Sequence, residues 1–152
     1  MLDTLFPTQV SNDYEGSPIA RWVFAVITSV TIGRSLVHVT APDGGAQSIV
    51  TIPLDTFTPG GAAAVVLLFS LWGLSQLLIG IICVVVIWRY RTLIPFMYLL
   101  VTLEYGMRIV LGIFKPIQTT GTAPGGVGNY IVFPLAMGML ILSLGNKANM
   151  EK

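Results

Sequence analysis

The sequence predicts an all-α integral membrane protein whose four transmembrane helices form a bundle. Hydrophobic residues make up 54% of the 152 residues and charged residues only 10%, whereas a soluble domain carries about 25% charged residues. The mean hydropathy is +0.81. The apolar residues fall in four long runs separated by segments that are mostly rich in Gly, Pro and Thr. Such a chain cannot cover itself with polar surface in water, so we expect it to lie in a membrane.

The four apolar runs are long enough to cross the hydrocarbon layer, which takes about 20 helical residues. They are too long and too uniformly apolar for the strands of a membrane barrel. The first two begin with a capping residue followed by proline, at Ser17-Pro18 and Thr58-Pro59. The predicted helices are approximately residues 18–39, 59–88, 93–114 and 129–145. They form a transmembrane domain of residues 18–146, between a polar N-terminal tail (1–17) and a C-terminal tail (147–152).

Basic residues are distributed unequally between the two ends of this predicted bundle. The two Gly/Pro-rich loops contain only Lys115, together with Asp43 and Asp55. The opposite end would carry Arg21, Arg89, Arg91, Lys147 and Lys152. Because positive charge accumulates in cytoplasmic segments, we predict that both termini are cytoplasmic (N-in/C-in). The Gly/Pro-rich loop between the first and second helices is then extracytoplasmic.

The residue inventory excludes several classes of site. A single cysteine, Cys83, permits no disulfide within the chain, and its apolar surroundings are typical of a small buried side chain. A single histidine, His38, without a second ligand does not make a zinc or haem site. The net charge of +1 points to no nucleic-acid partner, and the motifs of soluble enzymes are missing. The sequence therefore predicts no cofactor, no metal and no catalytic residue.

Three charged residues inside the apolar runs predict a buried polar cluster. Glu104 and Arg108 are four residues apart in the third helix and so share a face, in the favourable order. At 1.5 Å per residue, Arg34 and Arg108 both lie roughly 22 Å from the predicted cytoplasmic ends of their helices. Charges at such depth cost at least ~2.5 kcal/mol each, so they should face the bundle interior. We therefore predict that the first and third helices are neighbours, brought together by these three residues.

Two arginines against one embedded carboxylate leave a positive excess. It is balanced either by water or by Asp43 or Asp55 folding inward from the first outer loop, within an ion-pair network that fixes helix register, or by a bound anion or polar headgroup. In the last case the loop forms a lid, with Asp43 and Asp55, over an outer-leaflet cavity. The candidate ligand-binding residues are Arg34, His38, Gln76, Glu104, Tyr105 and Arg108.

Three functions are compatible with these features. The favoured interpretation is a non-catalytic membrane protein, either an assembly subunit or a binder of a lipid-like or polar-headed ligand in the outer cavity. The alternative is a membrane enzyme that acts on a lipidic substrate, with Glu104 or His38 as acid or base. The third is a channel or carrier that works as an oligomer. The expected partners are membrane lipids and either a larger membrane complex or further copies of the chain.

Several short motifs, taken in order, carry a resemblance to a known family. They are "GRSLVH" closing the first helix, "LWGLSQLLIGI" in the second, the tight "WRYR" turn and "LEYGMR" in the third. Their order resembles the small DoxX-like bacterial membrane proteins. The resemblance implies a four-helix bundle in the bacterial inner membrane, in some members a subunit of a redox assembly working beside quinone. It implies no catalytic residue.

Overall fold

The computed structural model describes residues 2–145, which contain helices, turns and loops but no strand. A one-turn helix, Leu2–Leu5, precedes four long helices that are long and apolar enough to cross a membrane. The long helices are α1 (Pro18–Thr40), α2 (Pro59–Arg89), α3 (Ile94–Phe114) and α4 (Pro124–Ser143). Short 3₁₀ turns occupy Leu54–Thr56 and Arg91–Leu93. The all-helical fold and the four membrane-spanning candidates are thus confirmed. The predicted C-terminal tail, with Lys147 and Lys152, lies outside the described residues.

The helix starts show how local sequence sets the element bounds. The Ser17 hydroxyl accepts a hydrogen bond from the Ile19 amide, and the Thr58 hydroxyl accepts one from the Gly61 amide, both at 3.2 Å. Both predicted caps are therefore confirmed. The fourth helix begins at Pro124, whereas the sequence predicted a start at residue 129. Proline at the first helical position has no N–H to leave unpaired and its φ is already helical, so it extends α4 into a stretch whose glycines predicted a loop.

The long helices pack as two hairpins, α1 on α2 and α3 on α4, and α1 also contacts α4. Helices α1 and α3 contact each other only sparsely. The buried charges do not bring them together, because Glu104 pairs with Arg108 on its own helix and Arg34 has no acceptor in residues 2–145, so that part of the prediction is wrong. The contacts observed between them lie near their N-terminal ends. There the Tyr98 hydroxyl donates to the Ala20 carbonyl at 2.6 Å, and the rings of Phe24 and Tyr98 are 5.3 Å apart.

Glycines on α2 explain why α1 packs against it. A Cβ atom at Gly73 would lie 2.6 Å from Cβ of His38, and one at Gly80 would lie 2.6 Å from Cγ1 of Ile32. Both distances are shorter than carbon atoms tolerate. Small residues let helix backbones approach closely in membranes, where packing drives association. The glycines of α2 therefore select α1, and not α3, as the partner of α2.

Apolar packing is concentrated in one half of the bundle, at the end that holds residues 89–93. The buried cluster there includes Phe24, Cys83, Met97 and Tyr98. The N-terminal tail, predicted as a polar tail, packs on this end. Main-chain atoms of Ser11 hydrogen-bond to Thr92 at 3.1–3.3 Å. The opposite half contains no comparable cluster shared by all four described helices, which leaves room for a cavity.

Candidate functional site

A cavity of about 710 Å³ lies in the half of the bundle opposite the 89–93 turn. All four long helices and the loop between α1 and α2 contribute to its wall. Most of the lining is apolar, with side chains such as Val30, Leu68, Leu111 and Val132. The chief polar side chains are few and converge from three helices. They are Arg34, His38, Tyr105, Arg108 and Asn129.

The indole of Trp72 lies between the two arginines. Its ring centroid is 5.2 Å from Cζ of Arg34 and 5.0 Å from Cζ of Arg108. Cζ of Arg108 also lies 4.9 Å from the centroid of Tyr105. A guanidinium over an aromatic face is stabilised by the ring quadrupole. The two arginines therefore lie at one level of the bundle, as their equal depth in the sequence predicted.

Arg108 has its counter-charge on its own helix. Its Nε donates to Oε1 of Glu104 at 3.1 Å, and its Nη2 contacts the same oxygen. The amide of Gln76 on α2 donates to that oxygen at 2.9 Å. Glu104 and Gln76, two of the predicted ligand residues, do not line the cavity. Glu104 pairs with Arg108 outside the lining, and Gln76 hydrogen-bonds to Glu104. Their bonds also connect the two hairpins at this level.

Arg34 has no such partner. Its Nε and Nη2 atoms are buried without a hydrogen-bond acceptor in the part of the chain that the structure describes. Nε and Nη2 form one edge of the guanidinium, and this edge can donate two parallel hydrogen bonds to two oxygens of a phosphate or carboxylate. The Oδ1 atom of Asn129, on α4, is also buried and unpaired within residues 2–145. Arg34 and Asn129 are both among the residues that line the cavity.

His38 anchors the loop above the cavity. Its Nδ1 lies 2.7 Å from the Gly44 carbonyl, and because a carbonyl only accepts, this nitrogen carries the proton. The ring centroid is 4.8 Å from that of Trp72, and the side chain is 2% exposed. His38 therefore joins the loop to the aromatic wall of the cavity.

The loop between α1 and α2 is folded on itself by Asp43. The carboxylate accepts hydrogen bonds from the amides of Gly45, Gln47 and Ser48 at 2.9, 3.1 and 2.6 Å. Partial burial acts to raise the pKa of Asp43, but these bonds outweigh it and lower the pKa to about 2. Asp55 accepts from the Gln47 side chain at 2.7 Å. Both aspartates thus bond within the loop, and the alternative in which one of them folds inward to balance the arginines is wrong.

The roof of the cavity consists of apolar loop residues, not of the aspartates. Ile49 and Val50 line the cavity, and the segment 41–50 is a series of turns. Thr51, with φ of 61°, accepts from the Thr120 amide at 2.9 Å through its carbonyl, and its hydroxyl donates to the Gly121 carbonyl at 3.0 Å. The loop after α1 and the loop after α3 are therefore hydrogen-bonded to each other above the cavity.

Removing the Asp43 carboxylate is expected to loosen this roof. In the Asp43→Ala variant, the amides of Gly45, Gln47 and Ser48 should exchange with deuterium roughly tenfold faster, since each loses a bond to a charged acceptor. Hydrogen–deuterium exchange with mass spectrometry of residues 42–52 measures this. Because the pKa of Asp43 is lowered in the fold, its contribution is present above pH 4 and is lost as the pH falls towards 2. Asp55→Ala, which removes one side-chain bond, is the control, and equal exchange in the two variants would contradict the assignment.

Sequence reasoning did not identify Trp72 and Asn129 as lining residues. Trp72 precedes Gln76 by one helical turn, so the spacing that related Glu104 to Arg108 would have placed it on the polar face. Asn129 was interpreted as the first residue of the fourth helix, and it lies one turn inside that helix instead. Its side chain thereby reaches the cavity wall.

The fold and the site together define a class: a multi-pass integral membrane protein with four helices long and apolar enough to span a membrane and an arginine-lined cavity between them. No protein-family model, no curated protein and no solved structure matches the chain.

Proposed function

We propose that the protein is a non-catalytic membrane protein that binds a lipid-like molecule with an anionic or polar head in this cavity. The observation that carries the proposal is Arg34, whose guanidinium edge is buried in the cavity wall without an acceptor among residues 2–145. An unpaired buried charge is costly, and a bound anion would remove that cost. A ligand therefore explains an arrangement that the protein's own side chains leave incomplete.

The walls indicate the character of the rest of the ligand. Cavities for small molecules typically measure about 300–1,000 Å³ and are largely apolar with a few placed polar groups. The volume of about 710 Å³ and the aliphatic lining fit an acyl or isoprenoid portion beside the polar head. The apolar roof of Ile49 and Val50 supports the same interpretation.

The bonding of the titratable residues favours binding over catalysis and over conduction. Glu104 is engaged by Arg108 and Gln76 and does not line the cavity, so it offers no acid or base group to a bound molecule. His38 donates from Nδ1 to the Gly44 carbonyl, which makes this residue an anchor of the loop and leaves Nε2 as its one remaining basic atom. Towards the 89–93 turn the interior is filled by Phe24, Tyr98 and their neighbours. A polar route through one protomer would end at this cluster.

We further propose that both termini are cytoplasmic, that the cavity opens in the outer leaflet, and that the membrane is a bacterial inner membrane. The distribution of arginines at the described ends supports the orientation. The resemblance to DoxX-like proteins supports the assignment to a bacterial inner membrane. That resemblance stays a prediction. So does the expectation that the partners are a larger membrane complex or further copies of the chain.

Single cysteines test the orientation in a Cys83→Ser background. Cysteines at Thr56 and Thr119, both exposed in the loops that follow α1 and α3, should react with an impermeant thiol reagent added to intact cells. A cysteine at Glu15, exposed in the N-terminal tail, should react only after the cells are opened. The reverse labelling pattern would overturn the orientation. These positions avoid Gly44, where φ is +60° and a side chain would meet the Val66 carbonyl.

Lipid retention tests the binding function. The protein purified in mild detergent should carry an anionic lipid detectable by native mass spectrometry, and Arg34→Gln should reduce the bound fraction at least about tenfold, because an ionic bidentate contact is lost. Arg21→Gln is the matched control, since Arg21 also lies on α1 beside an indole, 5.8 Å from the Trp22 centroid, but away from the cavity. Equal retention in both variants, or none in the wild type even when lipid is added, would contradict the proposal.

A further inference from the structure

The charge of the cavity wall limits the charge of its ligand. Arg34 and Arg108 contribute two positive charges and Glu104 one negative charge, so the described residues leave one positive charge unbalanced. The N-terminus of α4 adds a fractional positive charge, since Gly125 and Gly126 line the cavity and the cap residue Ala123 supplies no side-chain bond. A single negative charge on the ligand matches this balance. A fully ionised phosphomonoester would exceed it.

Asn129 sets a second requirement. Its Oδ1 atom is buried in the wall with no donor among residues 2–145, and an amide oxygen can only accept hydrogen bonds. A phosphodiester anion and a fully ionised phosphomonoester offer only acceptors, so on such a head the donor must lie outside the phosphate. An ammonium group would cancel the negative charge of the head and would be repelled by the two arginines. A hydroxyl group meets the requirement without either cost.

We infer that the ligand is a monoanionic phosphodiester lipid whose head carries a hydroxyl group, as a glycerol or sugar substituent does. The phosphate oxygens lie side by side on the Nε–Nη2 edge of Arg34, and the hydroxyl donates to Oδ1 of Asn129. The acyl chains lie along the aliphatic wall that includes Val30, Leu68 and Leu111. This inference rests on the proposed function and specifies its ligand class.

A matched pair of lipids tests the hydroxyl requirement without a mutation. Phosphatidylglycerol and phosphatidylmethanol with identical acyl chains carry the same charge, and of the two only phosphatidylglycerol has head hydroxyls. Titrated into the delipidated protein in neutral detergent and followed by native mass spectrometry, phosphatidylglycerol should bind about tenfold more tightly, the effect of satisfying one buried acceptor. Asn129→Leu, which keeps the branching at Cγ but removes the amide, should lower this ratio to within about twofold. Arg34→Gln should weaken both lipids, because both carry the phosphate that meets its guanidinium.

The outcomes separate the two levels of the proposal. Equal binding of the two lipids by the wild type, or an unchanged ratio in Asn129→Leu, overturns the hydroxyl assignment and leaves lipid binding intact. Binding of neither lipid overturns the proposed function itself. Glycerophosphoglycerol, the deacylated head, distinguishes a lipid from a water-soluble phosphodiester. It should bind at least about a hundredfold more weakly than phosphatidylglycerol, because it buries no acyl methylene groups. Equal affinity for the two would overturn the lipidic source.

Discussion

Replacing Glu104 with Gln is expected to lower the Tm of the detergent-purified protein by about 6–12 °C, since a loss of ~3 kcal/mol shifts the Tm of a chain of this length by about 2–4 °C per kcal/mol. Breaking a buried ion pair costs ~3–5 kcal/mol in soluble proteins, and the lower energy applies because the side chain of Glu104 is 30% exposed and that of Arg108 18%. The change removes the one embedded carboxylate of the described residues, and two guanidinium groups then lie beside the same Trp72 ring without a counter-charge. Thermal unfolding followed by the exposure of Cys83 to a fluorogenic maleimide measures the shift.

Two controls separate charge from packing in this experiment. Asp13→Asn removes a carboxylate from the exposed tail, where it only hydrogen-bonds to Ser11, and should leave Tm unchanged. The double variant Glu104→Gln with Arg108→Met should recover part of the lost stability, since neither member of the pair remains charged. An identical Tm for Glu104→Gln and Asp13→Asn would show that the pair contributes nothing.

Gly73→Val is expected to separate α1 from α2 and to destabilise the protein by about 3 kcal/mol, the upper end of overpacking costs. Even the Cβ atom would lie 2.6 Å from Cβ of His38 and 3.2 Å from the main-chain carbonyl of Ser35. These atoms belong to or adjoin the backbone of α1, so no change of rotamer can relieve the clash. The two helices must therefore move apart. Because His38 anchors the loop to Gly44, the cavity roof should loosen too.

Gly112→Val is the matched control for this substitution. Gly112 also lies within a spanning helix, but a Cβ atom there would have no neighbour within 4 Å. Thermal unfolding of the two variants, together with deuterium exchange of residues 42–52, is the measurement. A Tm loss shared equally by both variants would mean that valine itself, rather than the α1–α2 contact, is responsible.

The elements of the fold follow from local sequence. Uniformly apolar runs define the spans, and Ser17, Thr58 and Pro124 define where three of them begin, through side-chain caps or a preset φ. The pairing of Glu104 with Arg108 was also predictable, because four residues in a helix bring two side chains to one face. The common level of Arg34 and Arg108 followed from helix rise alone.

The arrangement of the helices was decided by the tertiary structure. Charge complementarity predicted that α1 and α3 are neighbours, but Gly73 and Gly80 bring α1 onto α2, because close backbone approach gains packing along the whole helix. The rotation of each helix then follows from that packing. It places Trp72 between the two arginines and turns Asn129 towards the cavity.

The sequence by itself determined the membrane class, the four spans and the polar level within them, since these depend on composition and on spacing along one helix. It did not determine that Asp43 remains within its loop while Arg34 is left without an acceptor in residues 2–145. Asp43 has three backbone amides within five residues, and contacts so local require little chain ordering. An inward fold towards Arg34 would have to give up those bonds. Whether Asp43 has the lower free energy in its loop or beside Arg34 depends on how the whole loop packs. Only the tertiary structure shows that packing.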